Sequence, residues 1–220
     1  MIFGLPHEKF IMRKYLLLAS ATLIMLSCGD NKEKVSSEDH IIHSNKDSIH
    51  SSSKNEMVSA MKEMMEEMHQ QKPTGNIDSD YANMMSDHHE GAVETSDILL
   101  QKSSNSDLKS FAQKVINAQN KEIDLLDRYD DLTTKSPESG KFQKEMMATM
   151  APMMNSEIPI HHNIDKDYVQ QMIPHHQSAV DMAKVYLKYG KVKELIALSK
   201  TIIEEQQQEI DFLKDWLTKN

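Results

Sequence analysis

The chain has 220 residues, a formal net charge of −9 and a single cysteine. Phosphate backbones and anionic lipid headgroups repel an acidic chain. The charge therefore argues against nucleic-acid binding and peripheral membrane attachment, and it favours cationic partners such as metal ions. One cysteine excludes an intramolecular disulfide and a site built from several thiolates. Aromatic residues make up 5% of the chain and methionines number 17, so we expect a core of Leu, Ile, Val and Met.

The N-terminal segment has the pattern of an export signal. Residues 12–14 are basic, and residues 15–26 are mostly apolar but too few to span a bilayer. Cys28 follows directly after Ser27, and this arrangement resembles the cleavage site of bacterial lipoproteins, although Met25 stands where that site usually has Leu. The resemblance implies cleavage before Cys28 and attachment of lipid to it.

The first quarter of the chain is predicted to serve export and anchoring rather than to fold. Residues 1–27 are predicted to be a lipoprotein signal peptide, and residues 28–55 are polar and predicted to be a flexible tether. Lipid on Cys28 would anchor the folded part to a membrane of the bacterial cell envelope, facing the periplasm or the cell surface. Translation starts at Met1 and at Met12 are both compatible with this pattern.

An internal repeat organises the rest of the chain. Residues 76–126 align with residues 163–213 at a constant offset of 87 without a gap, and identical residues recur along the whole alignment, among them the two adjacent histidines. A methionine-rich segment precedes each copy. A repeat at a fixed offset indicates a duplicated structural unit, which we place at 56–135 for repeat 1 and 138–220 for repeat 2.

Both copies have the periodicity of helical hairpins. Between residues 168 and 186 the buried-type positions recur at spacings of four and three, which is one face of a helix, and Gly190 suits its end. Residues 196–217 follow the same rhythm, and no stretch alternates like a strand. The sequence predicts an all-α protein, a four-helix bundle of two hairpins with shorter methionine-rich helices at about 56–71 and 141–155.

Each repeat carries two adjacent histidines at the same position. These are His88 and His89 in repeat 1, and His175 and His176 in repeat 2. Neighbouring residues on a helix differ in direction by about 100°. We therefore expect His88 and His175 to face the core and His89 and His176 to lie on the flank.

Methionines stand close to each histidine pair along the helix. Side chains three or four residues apart lie beside one another on a helix, so thioether and imidazole groups are expected to converge in two places. The candidate thioether ligands are Met84 and Met85 in repeat 1 and Met172 and Met182 in repeat 2.

This combination of side chains favours copper. Neutral imidazole binds late first-row metals and thioether is a soft ligand that favours Cu(I), whereas zinc and iron sites more often use carboxylate or cysteine. The predicted cargo is a copper ion, with Cu(I) favoured and iron or no metal as alternatives. On the following helices we expect Gln119 and Gln206 to hold the second imidazole nitrogen, and Glu122 and Glu209 to do the same or to bind metal directly.

Two further features bear on these sites. Pro174 lies directly before the second histidine pair and predicts a helix kink, whereas repeat 1 has Asp87 there, so the two sites need not be equivalent. His161 and His162 have no counterpart in repeat 1 and are expected to be solvated.

The second histidine segment resembles a known family. Residues 172–183 resemble the core motif of the domain of unknown function 305 family, a ferritin-like helical group common in exported bacterial proteins. The resemblance covers about residues 76–132 and 163–217, and repeat 1 matches less fully because Ser86-Asp87 replaces Ile-Pro. Some relatives are periplasmic copper-binding proteins linked to copper tolerance. The resemblance therefore implies a ferritin-like bundle and supports copper, without deciding between storage, buffering and delivery.

Three functions fit this pattern. The first hypothesis is a lipid-anchored, non-catalytic copper-binding protein that serves copper buffering, tolerance or delivery in the cell envelope, with a copper-handling protein as a candidate partner. The second is a structural or interaction bundle whose polar layer only sets helix register. The third is a ferritin-like di-iron oxidase, but that chemistry uses Glu and Glu-x-x-His on facing helices, and here the following helices carry Gln-x-x-Glu. A haem protein would need His and Met as axial ligands, and no haem attachment motif is present.

Overall fold

The computed structural model describes residues 55–154 and 158–220, and all regular secondary structure in these two stretches is helical. The predicted signal peptide, Cys28 and residues 29–54 of the predicted tether lie outside the described residues. None of the described helices is both long enough and apolar enough to cross a membrane. In chain order the helices are α1 (Glu56–Gln70), α2 (Ile77–Lys102), α3 (Ser106–Leu126), α4 (Ser139–Ala148), α5 (Ile164–Tyr189) and α6 (Lys193–Lys219).

Asparagine side chains set where most of these helices begin. Asn55, Asn76, Asn105 and Asn163 each accept a hydrogen bond from a backbone N–H of the first turn, which otherwise lacks a partner. Asn76 and Asn163 occupy the same repeat position, so the duplication preserved the start of α2 and α5 together with its cap.

The two predicted hairpins are present and meet through their first helices. α2 packs along α3, α5 packs along α6, and α2 also packs against α5. Tyr81 stacks on Tyr186 with ring centroids 3.9 Å apart, and the Ser96 and Tyr168 hydroxyls share a 2.9 Å hydrogen bond, so α2 and α5 run antiparallel. The all-α bundle predicted from the sequence is confirmed.

Equivalent carboxylates tie each hairpin to the other. Asp78, near the start of α2, accepts hydrogen bonds from the backbone N–H groups of Lys191 (2.8 Å) and Val192 (3.2 Å), just before α6. Its repeat counterpart Asp165, near the start of α5, accepts a hydrogen bond from the Ser103 hydroxyl, just before α3. Each hairpin therefore contacts the loop of the other through an equivalent aspartate, and because α2 and α5 are antiparallel these two contacts lie at opposite ends of the pair.

The methionine-rich helix α1 lies on the α2–α5 pair and contributes to the core. One face of it is buried, and its large side chains there are Met57, Met61, Met64 and Met68. A Cβ atom added at Gly91 would lie 2.4 Å from Met64 Sδ, so α1 packs directly on the backbone of α2 at that point. Flexible thioether side chains fill this irregular interface well.

Two helix ends merit comparison with the sequence. The second methionine-rich helix was predicted to run to about 155, which is wrong: α4 ends at Ala148 and residues 149–154 form turns. Pro152 lacks a backbone N–H and disfavours a helical residue before it. Gly190 is the C-cap of α5, as predicted, and only glycine fits there because a Cβ would overlap the Tyr186 ring.

Candidate metal centre

Four histidines form a buried layer at the crossing of α2 and α5. His88, His89, His175 and His176 are each 0% exposed. The rings of His88 and His175 are in contact, with centroids 3.8 Å apart and planes inclined by 36°. The expected core position of these two is confirmed. The flank positions of His89 and His176 are buried as completely, because α3 and α6 pack over them.

A glutamate of the neighbouring helix contacts each outer histidine. His89 Nε2 lies 2.8 Å from Glu122 Oε2, and His176 Nε2 lies 3.1 Å from Glu209 Oε2. The two contacts are equivalent under the repeat. Both distances suit a hydrogen bond, but the ring N–H directions are not aligned well enough with the oxygens for a well-formed one. The expected contact of these glutamates with imidazole is present, and direct binding of metal by them stays a prediction.

These partners determine which ring nitrogen carries the proton. A carboxylate oxygen or a carbonyl oxygen can only accept, so an imidazole nitrogen within hydrogen-bond distance of it must be the protonated one. This holds for Nε2 of His175, which donates to the backbone carbonyl of His88 at 3.0 Å, so the neutral ring keeps its lone pair on Nδ1. Nε2 of His89 and Nε2 of His176 lie beside a glutamate oxygen, which favours the same tautomer whenever those rings are neutral.

Those Nδ1 atoms are buried and available. Nδ1 of His89, His175 and His176 has no hydrogen-bond partner among the described residues, and in that same part of the chain neither ring nitrogen of His88 has one. A histidine that binds metal commonly donates its other N–H to a carboxylate or a backbone carbonyl, which orients the ring. His175 is held in this way, and His89 and His176 each have a carboxylate in close contact with Nε2.

Burial keeps the two central imidazoles neutral. The pKa of His88 and the pKa of His175 are well below the ordinary histidine value, first because burial penalises the charged ring and then because of neighbouring imidazoles. For His175 the hydrogen bond to the His88 carbonyl opposes this shift only in part. A neutral imidazole is the form that binds metal ions.

The two predicted glutamine partners are buried but do not hold the imidazoles. Gln119 and Gln206 are 2% and 3% exposed, which confirms their place on the buried face of α3 and α6. Both polar atoms of the Gln119 side chain lack a hydrogen-bond partner among the described residues, and so does Oε1 of Gln206. Each unpaired buried polar atom costs about 1–3 kcal/mol, so their concentration in one layer suits a site for an ion.

The candidate thioethers are all inside the bundle. Met84, Met85, Met172 and Met182 are buried, and Met172 Sδ accepts a 3.4 Å hydrogen bond from Thr95 Oγ1 of α2. Thr95 occupies the repeat position of Met182, so repeat 1 has a hydroxyl where repeat 2 has a sulfur. Their role as metal ligands stays a prediction.

The remaining residues singled out in the sequence lie where they were expected. Pro174 lies inside α5, and His161 and His162 are exposed, as predicted for solvated residues. In the described part of the chain, no group of three or more His, Cys, Asp or Glu side chains converges so as to hold a metal. Ser199 donates a 2.8 Å hydrogen bond to the Tyr81 hydroxyl, a contact that the sequence did not indicate because no periodic signal marks a serine on a buried face.

Solved structures of one protein, CopM, are similar to this chain. Its apo form and a silver-bound form obtained by co-crystallisation each have a TM-score of 0.50 and 26% sequence identity, covering 64% of this chain and 96% of CopM. A Cu(I)-bound form of CopM has a TM-score of 0.48 with the same identity and coverage.

Sequence comparison gives the family. No curated protein has significant sequence similarity to the chain. The family described as "Domain of unknown function (DUF305)" matches residues 25–130 and again residues 78–217, which together cover most of the chain. This duplicated match agrees with the internal repeat, and the chain belongs to the DUF305 family.

Proposed function

We propose that this protein binds copper as Cu(I) through the buried histidine layer and its neighbouring thioethers, and that it buffers or delivers the ion without catalysing a reaction. The observation that supports this most strongly is the set of oriented imidazoles: Nε2 of His89, His175 and His176 faces an acceptor while Nδ1 is buried without a partner in the described residues. Such rings are ready to donate a lone pair.

The chemistry of the donors favours a soft monovalent ion. Imidazole and thioether are both neutral, so they add no charge to stabilise a dication, and thioether selects soft ions such as Cu(I). Buried methionines from α2 and α5 stand within two turns of the histidine pairs along the helices. The similar protein CopM has been solved with bound silver, another soft ion, and this supports the same class of cargo here.

The envelope location is part of the proposal. It rests on the apolar N-terminal segment and on Cys28, and copper handling outside the cytoplasm suits a site without thiolates. The test is mass spectrometry of protein taken from cell envelopes, where we expect a chain that begins at lipidated Cys28. The Cys28→Ser variant should then leave the membrane fraction; retention of that variant in the membrane would contradict lipid anchoring.

The metal proposal is tested on the full chain purified from copper-supplemented cells. We expect bound copper in the native chain and its loss when His88, His89, His175 and His176 are all changed to Ala, with circular dichroism as a check on folding. The matched control changes the exposed pair His161 and His162 to Ala and should keep the copper. A folded four-histidine variant that binds as much copper as the native chain would overturn the site.

Volume-conserving variants guard against unfolding of the histidine variant. Met85→Leu with Met172→Leu keeps the size of both side chains while removing two sulfurs, and such swaps usually cost less than about 1.5 kcal/mol. We expect a fall in Cu(I) affinity with little change in stability. An unchanged Cu(I) affinity would remove these two thioethers from the ligand set.

One observation favours a second candidate, an iron site. His89 with Glu122 and His176 with Glu209 each place imidazole and carboxylate in contact, which is the ligand mixture that non-haem iron uses. Iron content and oxidase activity of protein purified from cells supplied with both metals distinguish the two. Iron with oxidase activity would replace the copper proposal, whereas copper alone would support it.

A further inference from the structure

Resting on the copper-binding function proposed above, we infer that the protein has a second site for Cu(I), at its surface. The site is an open groove of about 610 Å³ between α1 and the segment that follows α4. It is called the methionine groove here and is defined by the four methionines that line it: Met61, Met65, Met153 and Met154.

Three of the four methionines that line the groove keep contact with solvent, unlike the candidate ligands of the core. Met154 is 63% exposed, Met65 and Met153 are half-buried, and Met61 is buried. Met65 and Met153 pack in part against the core, but packing does not explain Met154, because most of its surface stays in water. Thioethers that line one open cavity offer a soft ligand set.

A histidine completes this set on the same helix face. Met61, Met65 and His69 follow one another at spacings of four along α1, so they lie beside each other, and all three line the groove. His69 Nδ1 lies 2.6 Å from the Met65 carbonyl oxygen. Because that oxygen can only accept, the neutral ring carries its proton on Nδ1 and leaves the Nε2 lone pair for a metal.

The charge of the groove does not favour a dication. Glu66 lines it, but its Oε1 lies 3.5 Å from Lys62 Nζ, and Lys62 also lines the groove. No other carboxylate is among the described residues that line it. The donors that distinguish this groove are therefore sulfur and imidazole, which fit Cu(I) or Ag(I) better than Zn(II).

The location of the groove gives the second site a use. All four core histidines are 0% exposed, so an ion must pass through protein to reach them. Gln171 and Pro174 of α5 line the groove, and Pro174 is adjacent in sequence to His175. Since proline cannot donate a backbone hydrogen bond, α5 lacks one helical bond there. The methionine groove thus lies beside a weakened turn of the helix that carries the buried ligands, where an ion could be loaded.

The test measures silver binding by the full chain, with Ag(I) as a redox-inert stand-in for Cu(I). The groove variant is Met65→Leu, Met153→Leu and Met154→Leu, which conserves volume. Native mass spectrometry should give one fewer bound Ag(I) than for the native chain. The matched control, Met57→Leu with Met68→Leu, changes buried methionines of α1 that do not line the groove, and should keep every equivalent.

A second readout on the native chain removes any dependence on folding of the variant. With ¹³C-methyl-labelled methionine, the resonances of Met65, Met153 and Met154 should shift on addition of Ag(I) and should stay unchanged with Zn(II). An unchanged silver count in the groove variant, or unshifted groove resonances, would overturn the second site. The four-histidine variant separates the two proposals: it should lose the buried ions while the groove resonances still shift.

Discussion

At the scale of single residues, the histidine layer combines orientation with incomplete pairing. Glu122 and Glu209 hold the outer rings and the His88 carbonyl holds His175, yet the opposite nitrogens face a dry interior. A protein selected for stability alone would gain by replacing such a layer with apolar side chains. Retaining it in both copies of the repeat is consistent with a ligand-binding role.

The glutamates should therefore tune metal affinity. In the variant Glu122→Gln with Glu209→Gln, the rings lose the carboxylates that orient them, and we expect Cu(I) affinity to fall about 10–100-fold. Competition with a chromogenic Cu(I) chelator measures this. Glu204→Gln, an exposed change on the same helix as Glu209, is the control and should leave affinity unchanged. Equal affinity in the double variant and the native chain would mean that the carboxylates do not orient the ligands.

The buried imidazoles also predict how stability depends on pH. Because the pKa of His88 and of His175 is lowered in the folded chain, the unfolded chain binds more protons below about pH 6.5, the ordinary histidine value. The metal-free protein is thus most stable above that pH. On acidification, each ring is expected to remove up to about 1.4 kcal/mol of unfolding free energy per pH unit.

Urea denaturation of metal-free protein at a series of pH values checks this expectation. Changing His161 and His162 to Ala should leave the slope unaltered, because these two rings are exposed. Stability that does not vary between pH 5 and pH 7 would show that the buried rings accept protons as readily in the folded chain as in the unfolded one.

At the scale of elements, α1 has two faces with different chemistry. One face carries buried methionines that pack on α2 and α5, and the adjoining face carries Met65 and His69 along the methionine groove. The helix therefore lies between the surface groove and the core. Its close approach to Gly91, one turn after His88, makes its position sensitive to the smallest side-chain addition.

Gly91→Ala should accordingly destabilise the protein. The new Cβ would overlap Met64, which would have to leave its position, and overpacking of this kind typically costs about 1–3 kcal/mol. The control is Gly140→Ala on α4, where no described atom lies within 4 Å of the added Cβ and the change should be neutral or slightly stabilising. Urea midpoints compare the two; equal midpoints would indicate that α1 does not pack tightly at Gly91.

At the scale of the whole molecule, the duplication is what made the fold predictable. The constant offset of 87 places equivalent histidines on equivalent helices, and periodicity then puts His88 and His175 toward the centre. The contact partner of His89 was harder to predict from the sequence. Gln119 and Glu122 both fall on the side of α3 that faces α2, and only packing decides which of them reaches the imidazole ring. The early end of α4 had a visible signal in Pro152 that helical periodicity alone did not use.

The methionine groove shows a different limit of sequence reasoning. The spacing of Met57, Met61, Met64 and Met68 along α1 fits either a stripe of core packing or a copper relay, and in the structure all four are buried. Nothing in the spacing indicates that Met65, one residue away from that stripe, would meet Met153 and Met154 from a segment almost ninety residues later. Contacts that depend on the path of a non-helical segment require the three-dimensional structure.

Metal binding should stabilise the whole bundle, because the donors proposed above come from both hairpins. An ion that binds only the folded chain adds about 2.7 kcal/mol at a free concentration one hundred times its Kd. We expect the Tm of the native chain to rise with added Ag(I), and the four-histidine variant to gain much less. A native Tm that is insensitive to Ag(I) would mean that the ion does not join the two hairpins.

Repeat 1 has Thr95 at the position where repeat 2 has Met182, and this difference gives the two halves of the molecule different metal donors. One half offers a sulfur where the other offers a hydroxyl, so we expect unequal strengths for the same ion and filling in sequence as its concentration rises. Two sites of equal affinity would fill over a narrow range of metal concentration. Two sites of unequal affinity fill over a wider range, so the protein would be partly loaded both at low and at high metal concentration.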